Sequence, residues 1–489
     1  MAPASHPTRT DPAPRRAVLA AAALALLLAG CAGSTYRADA PAAEPLPAGL
    51  PALRPGAGTT TTELSIRRWW LLLDDAELAR TIDEALVHNA DLRIAAARLR
   101  EAQARWREVH AARGVDVTLE GSSARSRSAA DALPPGAARV GSRHDAALVG
   151  TFDVDLWGRL ASADEAARAR LAAEGWARTA VAWSLTAQVA QAHVSLRAVM
   201  RQQHIAEAVR DGRMATARLR QREREAGSGS EFELRRAEAE LAQADSQLAA
   251  PQRQRSALEG TLALLSGRRA AELVTDEPAR APLSAAAPAA VPLPAGDAAA
   301  MLLDRPDVQR AERTLAALQA DVAAARAATL PAVRLSGRLG SDARELSQLF
   351  SGPAFVWSLV TGVSQSLFDG GAAQARVDQA QARRDAAVAE YRRTVAGAVV
   401  ELRDAYAALD TTERALEAVQ RRVAALERSR RLAQAGVSAG VLTRLDLLDA
   451  ERASFQAQLD AADATRDRVL AQVAAYKALG GGTAGMAPT

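Results

Sequence analysis

The side chains that most often carry out chemistry in proteins are few in this chain and are not arranged for catalysis. It has one cysteine and six histidines in 489 residues. The histidines show neither an HExxH pattern nor the paired spacing of a metal site, and there is no P-loop, dinucleotide-binding glycine fingerprint or GxSxG motif. The glycine run "LGGGTAG" lacks a strand–helix context. We therefore predict that the protein is not an enzyme and has no cofactor or metal.

The one cysteine, Cys31, lies where its thiol could be acylated. Two arginines precede an apolar run over residues 17–29, which is shorter than a bilayer-spanning helix. The run ends in "LAGC", which resembles the lipobox of bacterial lipoproteins, in which the cysteine is lipidated and becomes the mature N-terminus. A single cysteine also excludes an intrachain disulfide. We predict lipidation at Cys31, and Ala32 at the next position favours sorting to the outer membrane.

Charged side chains recur with a two-residue period in four stretches of the chain. From Arg143 to Leu160, one parity is mainly apolar and the other carries most of the charge. This is the pattern of a strand with one apolar and one hydrated face. Similar alternation predicts strands at about residues 115–126, 143–156, 332–341 and 355–369. The charged residues expected on the hydrated faces are Asp116, Glu120, Asp145, Asp153, Asp155, Arg334 and Arg338.

Two environments could accommodate these strands. A soluble four-stranded sheet would keep one face in water and pack the other on helices. In a bilayer, an open sheet edge would leave backbone groups unpaired, so spanning strands must form a closed barrel. Common membrane barrels have at least about eight strands, so two chains would supply eight strands and three chains would supply twelve. We favour the barrel, with the charged residues lining its lumen, because of the Cys31 signal and the duplicated plan of the chain.

The elements that would position these strands are long helices, arranged in two copies of one plan. Shifted by 213 residues, Gly158 falls on Gly371; shifted by 216, "VTLEG" from Val117 falls on "VRLSG" from Val333. Apolar residues spaced three and four apart, with Arg, Glu and Gln between them, predict helices packed side by side. The predicted helices cover about residues 89–113, 159–226, 230–268, 306–328, 371–437 and 441–478.

The predicted fold is mainly α, with long helices packed side by side, a membrane β-barrel portion and an internal duplication. The helix over residues 159–226 would be about 100 Å long, and Pro251 should kink or break the helix that contains it. The predicted segments are a lipoprotein signal peptide at 1–30, a lipidated linker at 31–62, a first repeat at 63–268, a connector at 269–297, a second repeat at 298–482 and a flexible tail at 483–489.

The charge distribution gives no indication of a nucleic-acid partner. The formal net charge is +4, and acidic and basic residues are interspersed rather than grouped. The sequence pI of about 9.8 is weak support for such a partner without a basic block. Aromatic residues make up only 3% of the chain, which argues against large aromatic-rich cores.

Several motifs together resemble the outer-membrane efflux protein family, the TolC-like channels, and within it the lipoprotein branch of resistance–nodulation–division efflux systems. They are the opening helices from Arg68 to Ala104, the strand-to-helix junctions "DVDLWGR" and "LFDGG", the start of the second repeat from Arg305 to Pro331, and "LLDAER" with "YKALGGG" in the last helix. The resemblance implies a homotrimer with a twelve-stranded barrel in the outer membrane and a long helical tunnel of twelve helices in the periplasm. The connector at 269–297 would form part of an equatorial belt. Such a channel is a passive exit duct for small toxic compounds, driven by an inner-membrane transporter through a periplasmic adaptor.

The same resemblance implies a gate at the periplasmic end. The family closes this end with a Leu-x-x-x-Asp pattern, which falls here on Leu445 and Asp449. Four-residue spacing puts both on one helix face, so a trimer would stack an apolar ring on an acidic ring that responds to cations. The position equivalent to Asp449 in the first repeat is Arg236, and pairing of the two would lock the closed state. The alternative is that both are solvated charges on a helix.

Two other functions remain open at this point. One is an outer-membrane duct for type I protein secretion, which the Cys31 signal and the "YKALGGG" ending disfavour. The other is a periplasmic adaptor or structural lipoprotein with long coiled coils and no pore. Adaptors usually surround their helical hairpin with glycine-rich soluble domains, which the sequence does not show.

Overall fold

A computed structural model of the chain describes residues 68–129, 138–268 and 298–480. Cys31, the signal peptide, the linker, the connector and the tail lie outside the described residues. A short 3-10 helix at Trp69–Leu73 precedes the first α-helix. The remaining elements of the first repeat are α1 Ala76–His88, α2 Ala90–Ala111, β1 Asp116–Arg127, β2 Val140–Val154, α3 Arg159–Glu225 and α4 Glu231–Leu265.

The second repeat has the same order of α-helices and strands as the first. They are α5 Ala298–Leu303, α6 Pro306–Ala327, β3 Ala332–Ala343, β4 Phe355–Ser364, α7 Ala372–Ser438 and α8 Arg444–Ala478. The long helices α3 and α7 both contain 67 residues, and α4 and α8 both contain 35. Gly158 and Gly371, which precede the long helices, are both left-handed, with φ of 73° and 89°. Matching lengths and matching turns support the internal duplication.

The four strands form one antiparallel sheet in the order β1-β2-β3-β4. Leu148 of β2 lies opposite Leu119 of β1 on one side and opposite Leu339 of β3 on the other. Trp357 of β4 lies opposite Leu339. Because side chains alternate between faces along each strand, this register places Leu119, Leu148, Leu339 and Trp357 on the same face of the sheet. Within the described chain, β1 and β4 each have a strand neighbour on one side only.

Helix α3 is the central helix of the described chain. It packs against α2, α4, α6 and α8, and 22 of its residues are buried. Its counterpart α7 is equally long, with 67 residues, but only six of these residues are buried. The many alanines among the buried residues of α3 permit close approach of the neighbouring backbones. Helix α7 is therefore an edge helix, with most of its surface uncovered in a single chain.

Each repeat joins the end of one helix to the start of another through a cap residue. Asn89 caps α2 and donates from Nδ2 to the carbonyl of Leu265 at the end of α4, at 2.9 Å. Arg305, 216 residues later, precedes α6 and donates from Nη1 to the carbonyl of Ala478 at the end of α8, at 3.1 Å. The last carbonyls of a helix have no partner within that helix, so these side chains satisfy one at each junction.

The structure corrects the predicted end of β4 and shows no break at Pro251. Strand β4 ends at Ser364 and not near residue 369, because Asp369 accepts hydrogen bonds from the backbone N–H groups of Gly371 and Ala373 and caps α7. Helix α4 continues through Pro251, so the expected break does not occur. Proline removes one backbone hydrogen bond, and buried residues of α4 on both sides of Pro251, including Leu248 and Leu262, hold the helix in place.

Candidate channel wall and gate

Six of the seven charged residues predicted for the hydrated sheet face lie together on one face. Arg338 of β3 donates to Glu120 of β1 at 3.0 Å and to Asp145 of β2 at 2.7 Å. Arg334 donates from Nε to Asp153 of β2 at 2.7 Å. The ladder register puts the sixth residue, Asp116, on the same face. The sheet therefore carries a row of cross-strand ion pairs, in which acidic residues of the first repeat meet arginines of the second.

Asp155 differs from this expectation. Strand β2 ends at Val154, so Asp155 lies beyond the sheet. Its two carboxylate oxygens accept hydrogen bonds from the backbone N–H groups of Leu160 and Ala161, at 3.0 and 2.7 Å. A carboxylate satisfies the free N–H groups of a helix start and interacts favourably with the helix dipole. Asp155 therefore caps the first turn of α3 and does not line the hydrated face.

The opposite face of the sheet is apolar and largely uncovered. Leu119 is 76% exposed and Trp357 is 72% exposed. The other large apolar residues on this face are Val117, Val140, Leu148, Phe152, Val154, Val333, Leu335, Leu339, Phe355, Leu359 and Val363. A soluble protein rarely exposes so continuous an apolar surface. The soluble-sheet alternative required helices packed on this face, and the high exposure of Leu119 and Trp357 argues against it.

The predicted gate residues lie at the start of α8, and the structure does not bring the two charged ones together. Leu445 is about half exposed, and Asp449 is exposed one helical turn later. Arg236 of α4 is directed to Glu240 of its own helix, at 3.7 Å from Nε. Among the residues that the structure describes, Asp449 takes part in no ion pair. An Arg236–Asp449 lock is therefore absent within one chain, and any such pair would have to form between chains.

Other residues link the two repeats near this position, and the sequence did not indicate them. Arg213 of α3 donates to Glu451 of α8 at 3.1 Å and lies 3.5 Å from Glu240 of α4. Arg452 of α8 lies 3.7 Å from the same Glu240. These charges were not distinguishable from ordinary helix-surface charges, because their meeting depends on how the long helices are rotated about their axes.

The turns that end both helix pairs carry exposed apolar residues. Phe232 follows the α3–α4 turn and is 73% exposed, and Val441 lies in the α7–α8 turn and is 79% exposed. Asp446 forms a capping box with Thr443 at the start of α8. The hydrogen bonds from the Thr443 side chain and backbone lower the pKa of Asp446 below its usual value. Asp446 therefore helps to begin the helix that carries Leu445 and Asp449.

A buried ionic site near the start of the described chain was also missed by the sequence analysis. Asp75 caps α1 and accepts hydrogen bonds from the backbone N–H groups of Glu77 and Leu78, from His193 Nε2 at 2.9 Å, and from Arg197. Burial would raise the pKa of Asp75, but the bonds from His193 and Leu78 and the charge of Arg197 outweigh it and lower that pKa well below its usual range. An acidic residue directly before an apolar helix is a cap signal, but its long-range partners are not readable from sequence.

The second repeat has its own buried ionic site, at Arg305. The Arg305 side chain is almost fully buried and donates to Asp307 at 2.7 Å and to Glu401 at 2.8 Å. Burial would lower the pKa of the Arg305 guanidinium, but the bonds to these carboxylates raise it. The guanidinium also lies 5.2 Å from the ring centre of Trp183 in α3. Arg305 therefore joins α6, α7 and α8 to the central helix.

No helix among the described residues has an apolar stretch long enough to cross a bilayer.

Comparison with known proteins identifies the family. The model of the family described as "Outer membrane efflux protein" matches residues 81–268 and 299–481. This chain belongs to the outer membrane efflux protein family. Among its relatives, outer membrane protein OprJ of Pseudomonas aeruginosa is 32% identical over 465 residues, covering 94% of each chain. The solvent efflux pump outer membrane protein SrpC of Pseudomonas putida is 32% identical over 408 residues, covering 83% of this chain and 86% of SrpC.

A solved structure supports the same assignment. The outer-membrane channel OprN superimposes with a TM-score of 0.77 at 32% identity, covering 86% of this chain and 93% of OprN. The efflux family member described here is thus an outer-membrane channel component of an efflux system, with helices that extend into the periplasm. The family resemblance, the mainly helical fold with four strands and the outer-membrane location predicted from the sequence are confirmed.

Proposed function

We propose that three copies of the chain assemble into one passive duct that crosses the outer membrane and continues into the periplasm. The observation that carries this proposal is the sheet, which has two unpaired edges and one exposed apolar face. Unpaired backbone groups are costly in hydrocarbon, so β1 of one copy must pair with β4 of the next. Three copies then close twelve strands, with the apolar face toward lipid and the ion-paired face toward the lumen.

The helices support the same assembly. Helix α7 leaves most of its surface uncovered, whereas the equivalent α3 is buried between neighbours. Both helices derive from one repeated plan, so the uncovered surface of α7 is explained if it packs against the next copy. Four long helices from each chain would then make a twelve-helix tunnel. The two family-model segments fit within the repeats that we assign to residues 63–268 and 298–482.

In this assembly Leu445 and Asp449 would form the periplasmic gate. Both are exposed in one chain and lie one turn apart on α8, so three copies would place an apolar ring next to an acidic ring. Converging carboxylates repel one another unless protons or cations are bound. Arg236, which has only a long contact with Glu240, is free to approach Asp449 of a neighbouring copy in the closed state.

The partners in this proposal are a periplasmic adaptor and an inner-membrane transporter. The exposed Phe232 and Val441, at the turns of the two helix pairs, give an apolar surface for the adaptor. Energy comes from the transporter, and the channel itself performs no catalytic step. The chain is held at the outer membrane by its barrel and by acyl groups on Cys31.

The proposed cargo is small toxic compounds. SrpC, which matches most of this chain, is named as the outer membrane protein of a solvent efflux pump. We expect deletion of the gene to increase sensitivity to at least one compound in a panel of solvents, antibiotics and metal ions. A plasmid copy should restore resistance, and a copy carrying Cys31→Ser should restore it less well. Unchanged tolerance across the panel, in a strain without a second channel of this family, would contradict the proposal.

A further inference from the structure

A groove of about 900 Å³ runs between the long helices of a single chain. Its walls come from the C-terminal half of α3, from α4 and from α8, and Arg430 of α7 completes it. Its volume is within the range of sites that hold small organic molecules. Helix α3 packs on α4 and α8, and α8 packs on α7, so the groove lies on one side of this layer of four helices. It begins less than one helical turn beyond the gate residue Asp449.

The groove has an excess of positive charge. Its two acidic residues are Glu240 and Glu451. Its five arginines, which come from all four long helices, are Arg201, Arg213, Arg236, Arg430 and Arg452. His204 is a further lining residue. In a concave site with protein walls, charges of one sign reinforce one another and attract counter-ions.

The two glutamates do not satisfy these arginines. Glu240 is shared by three guanidinium groups at 3.5 to 3.7 Å, which is longer than a direct hydrogen bond. Glu451 accepts one hydrogen bond, from Arg213. Among the described residues, Arg201 and Arg430 have no acidic partner. Several guanidinium N–H groups therefore remain available to an acceptor in the groove.

A second and independent feature is an unsatisfied hydroxyl group. Ser454 of α8 lines the groove and is only 2% exposed, and its Oγ has no hydrogen-bond partner among the described residues. Buried hydroxyl groups are usually hydrogen-bonded. Next to it, Phe455, Ile205 and Val209 provide apolar surface. The groove thus combines guanidinium groups, one free hydroxyl and an apolar wall.

We propose that this groove binds amphipathic organic anions, whose carboxylate, sulfonate or phosphate group meets Arg430 and Arg452 while an aromatic or aliphatic body packs on Phe455. Guanidinium groups are suited to planar oxyanions, and a neutral or cationic molecule would leave them without an acceptor. This inference deepens the proposed function, because it gives the duct a holding site next to its gate and a preference for anionic cargo.

The test is direct binding to detergent-purified protein by isothermal titration calorimetry, with a detergent-only blank. The probes are naphthalene-2-sulfonate and the naphthylmethylammonium cation, which share the same ring system. We expect saturable binding of the sulfonate and at least about tenfold weaker binding of the cation. The variant Arg430→Gln/Arg452→Gln should weaken sulfonate binding by about tenfold. The control Arg218→Gln/Arg428→Gln removes two arginines of α3 and α7 outside the groove and should bind as the wild type does.

Several results would overturn the proposal: no saturable binding of the sulfonate, equal binding of the cation, or equal losses in the groove and control variants. If the double variant is misfolded by circular dichroism, the two single variants replace it, each with a loss of about threefold expected. Binding does not depend on conduction. A trimer that conducts but does not bind the sulfonate would refute the groove alone, whereas a non-conducting monomer would refute the proposed duct.

Discussion

At the scale of single residues, Arg338 connects three of the four strands. It joins Glu120 of β1 and Asp145 of β2 from β3. Replacing it by glutamine leaves two carboxylates on the ion-paired face without their arginine partner. We expect the Arg338→Gln channel to become more selective for cations, because unpaired carboxylates attract cations to the pore.

The measurement is the reversal potential in a KCl gradient across a planar bilayer. Arg344→Gln is the matched control, since Arg344 is exposed and lies just after the end of β3. The reversal potential of the Arg338→Gln channel should shift toward the equilibrium potential of potassium. The control should have the same reversal potential as the wild type. Equal reversal potentials in all three proteins would show that the ion-paired face does not line the pore.

Asp75 supports a pH-dependent prediction at the same scale. The lowered pKa of Asp75 means that the folded state favours the ionised carboxylate. The contribution of Asp75 to the stability of the fold is therefore complete above the ordinary pKa of 3.8, and it is lost as the pH falls through the lowered pKa. We expect Asp75→Ala to lower the apparent midpoint of thermal unfolding at pH 7 by about 5 °C, since a cap and a buried charge partner are removed together.

Circular dichroism at 222 nm between pH 3 and pH 8 measures this difference. The difference between the unfolding midpoints of the wild type and Asp75→Ala should become smaller below about pH 4. Asp75→Asn keeps a capping oxygen, so its unfolding midpoint at pH 7 should fall less than that of the alanine variant. If the difference in unfolding midpoint stays constant across this pH range, the charge of Asp75 makes no contribution to stability.

At the scale of elements, the junction between α4 and α2 depends on one glycine. Gly267 has φ of +75°, and a Cβ atom there would lie 2.3 Å from the carbonyl oxygen of His88. Gly227, in the α3–α4 turn, has φ of +72° with open space around it. Alanine at either site incurs the left-handed cost of about 1 kcal/mol, but only Gly267→Ala also clashes with backbone.

We therefore expect Gly267→Ala to destabilise the protein at least about twice as much as Gly227→Ala. Thermal unfolding of the two variants, followed by circular dichroism under identical conditions, gives the comparison. Equal decreases in the unfolding midpoint of both variants would mean that the backbone of His88 does not lie as close to Gly267 as the structure shows.

Much of the element level was predictable from the sequence. The helix expected at residues 159–226 is observed at Arg159–Glu225, because a long apolar period between glycines defines both ends. Strand β4 was predicted too long, because "SLFDGG" retains an apolar residue after the strand ends and Asp369 caps the next helix. The meeting of Glu240 with Arg452 was not predictable, because the period of a helix gives its apolar face but not its rotation against a neighbour.

At the scale of the whole molecule, the two faces of the sheet must have different surroundings. Leu119 and Thr118 are neighbours on β1 and lie on opposite faces. An arginine on a lipid-facing strand position costs about 2–4 kcal/mol near the centre of the bilayer. We expect Leu119→Arg to reduce the yield of folded protein in the outer membrane, and Thr118→Arg, which would lie near Asp116, to have little effect.

Outer-membrane fractionation followed by electrophoresis with and without heating measures the folded yield of these two variants. Equal yields would mean that the face carrying Leu119 is not in contact with lipid. A reduced yield for Thr118→Arg alone would assign lipid to the opposite face.

In the proposed assembly, separate chains join their sheet edges to form one sealed duct. The most direct measurement combines light scattering of the detergent-purified full-length protein with single-channel recording of the same sample. We predict a particle that contains three chains and conducts ions in discrete steps across a planar bilayer. A stable monomer that inserts into the bilayer without conducting would contradict the account.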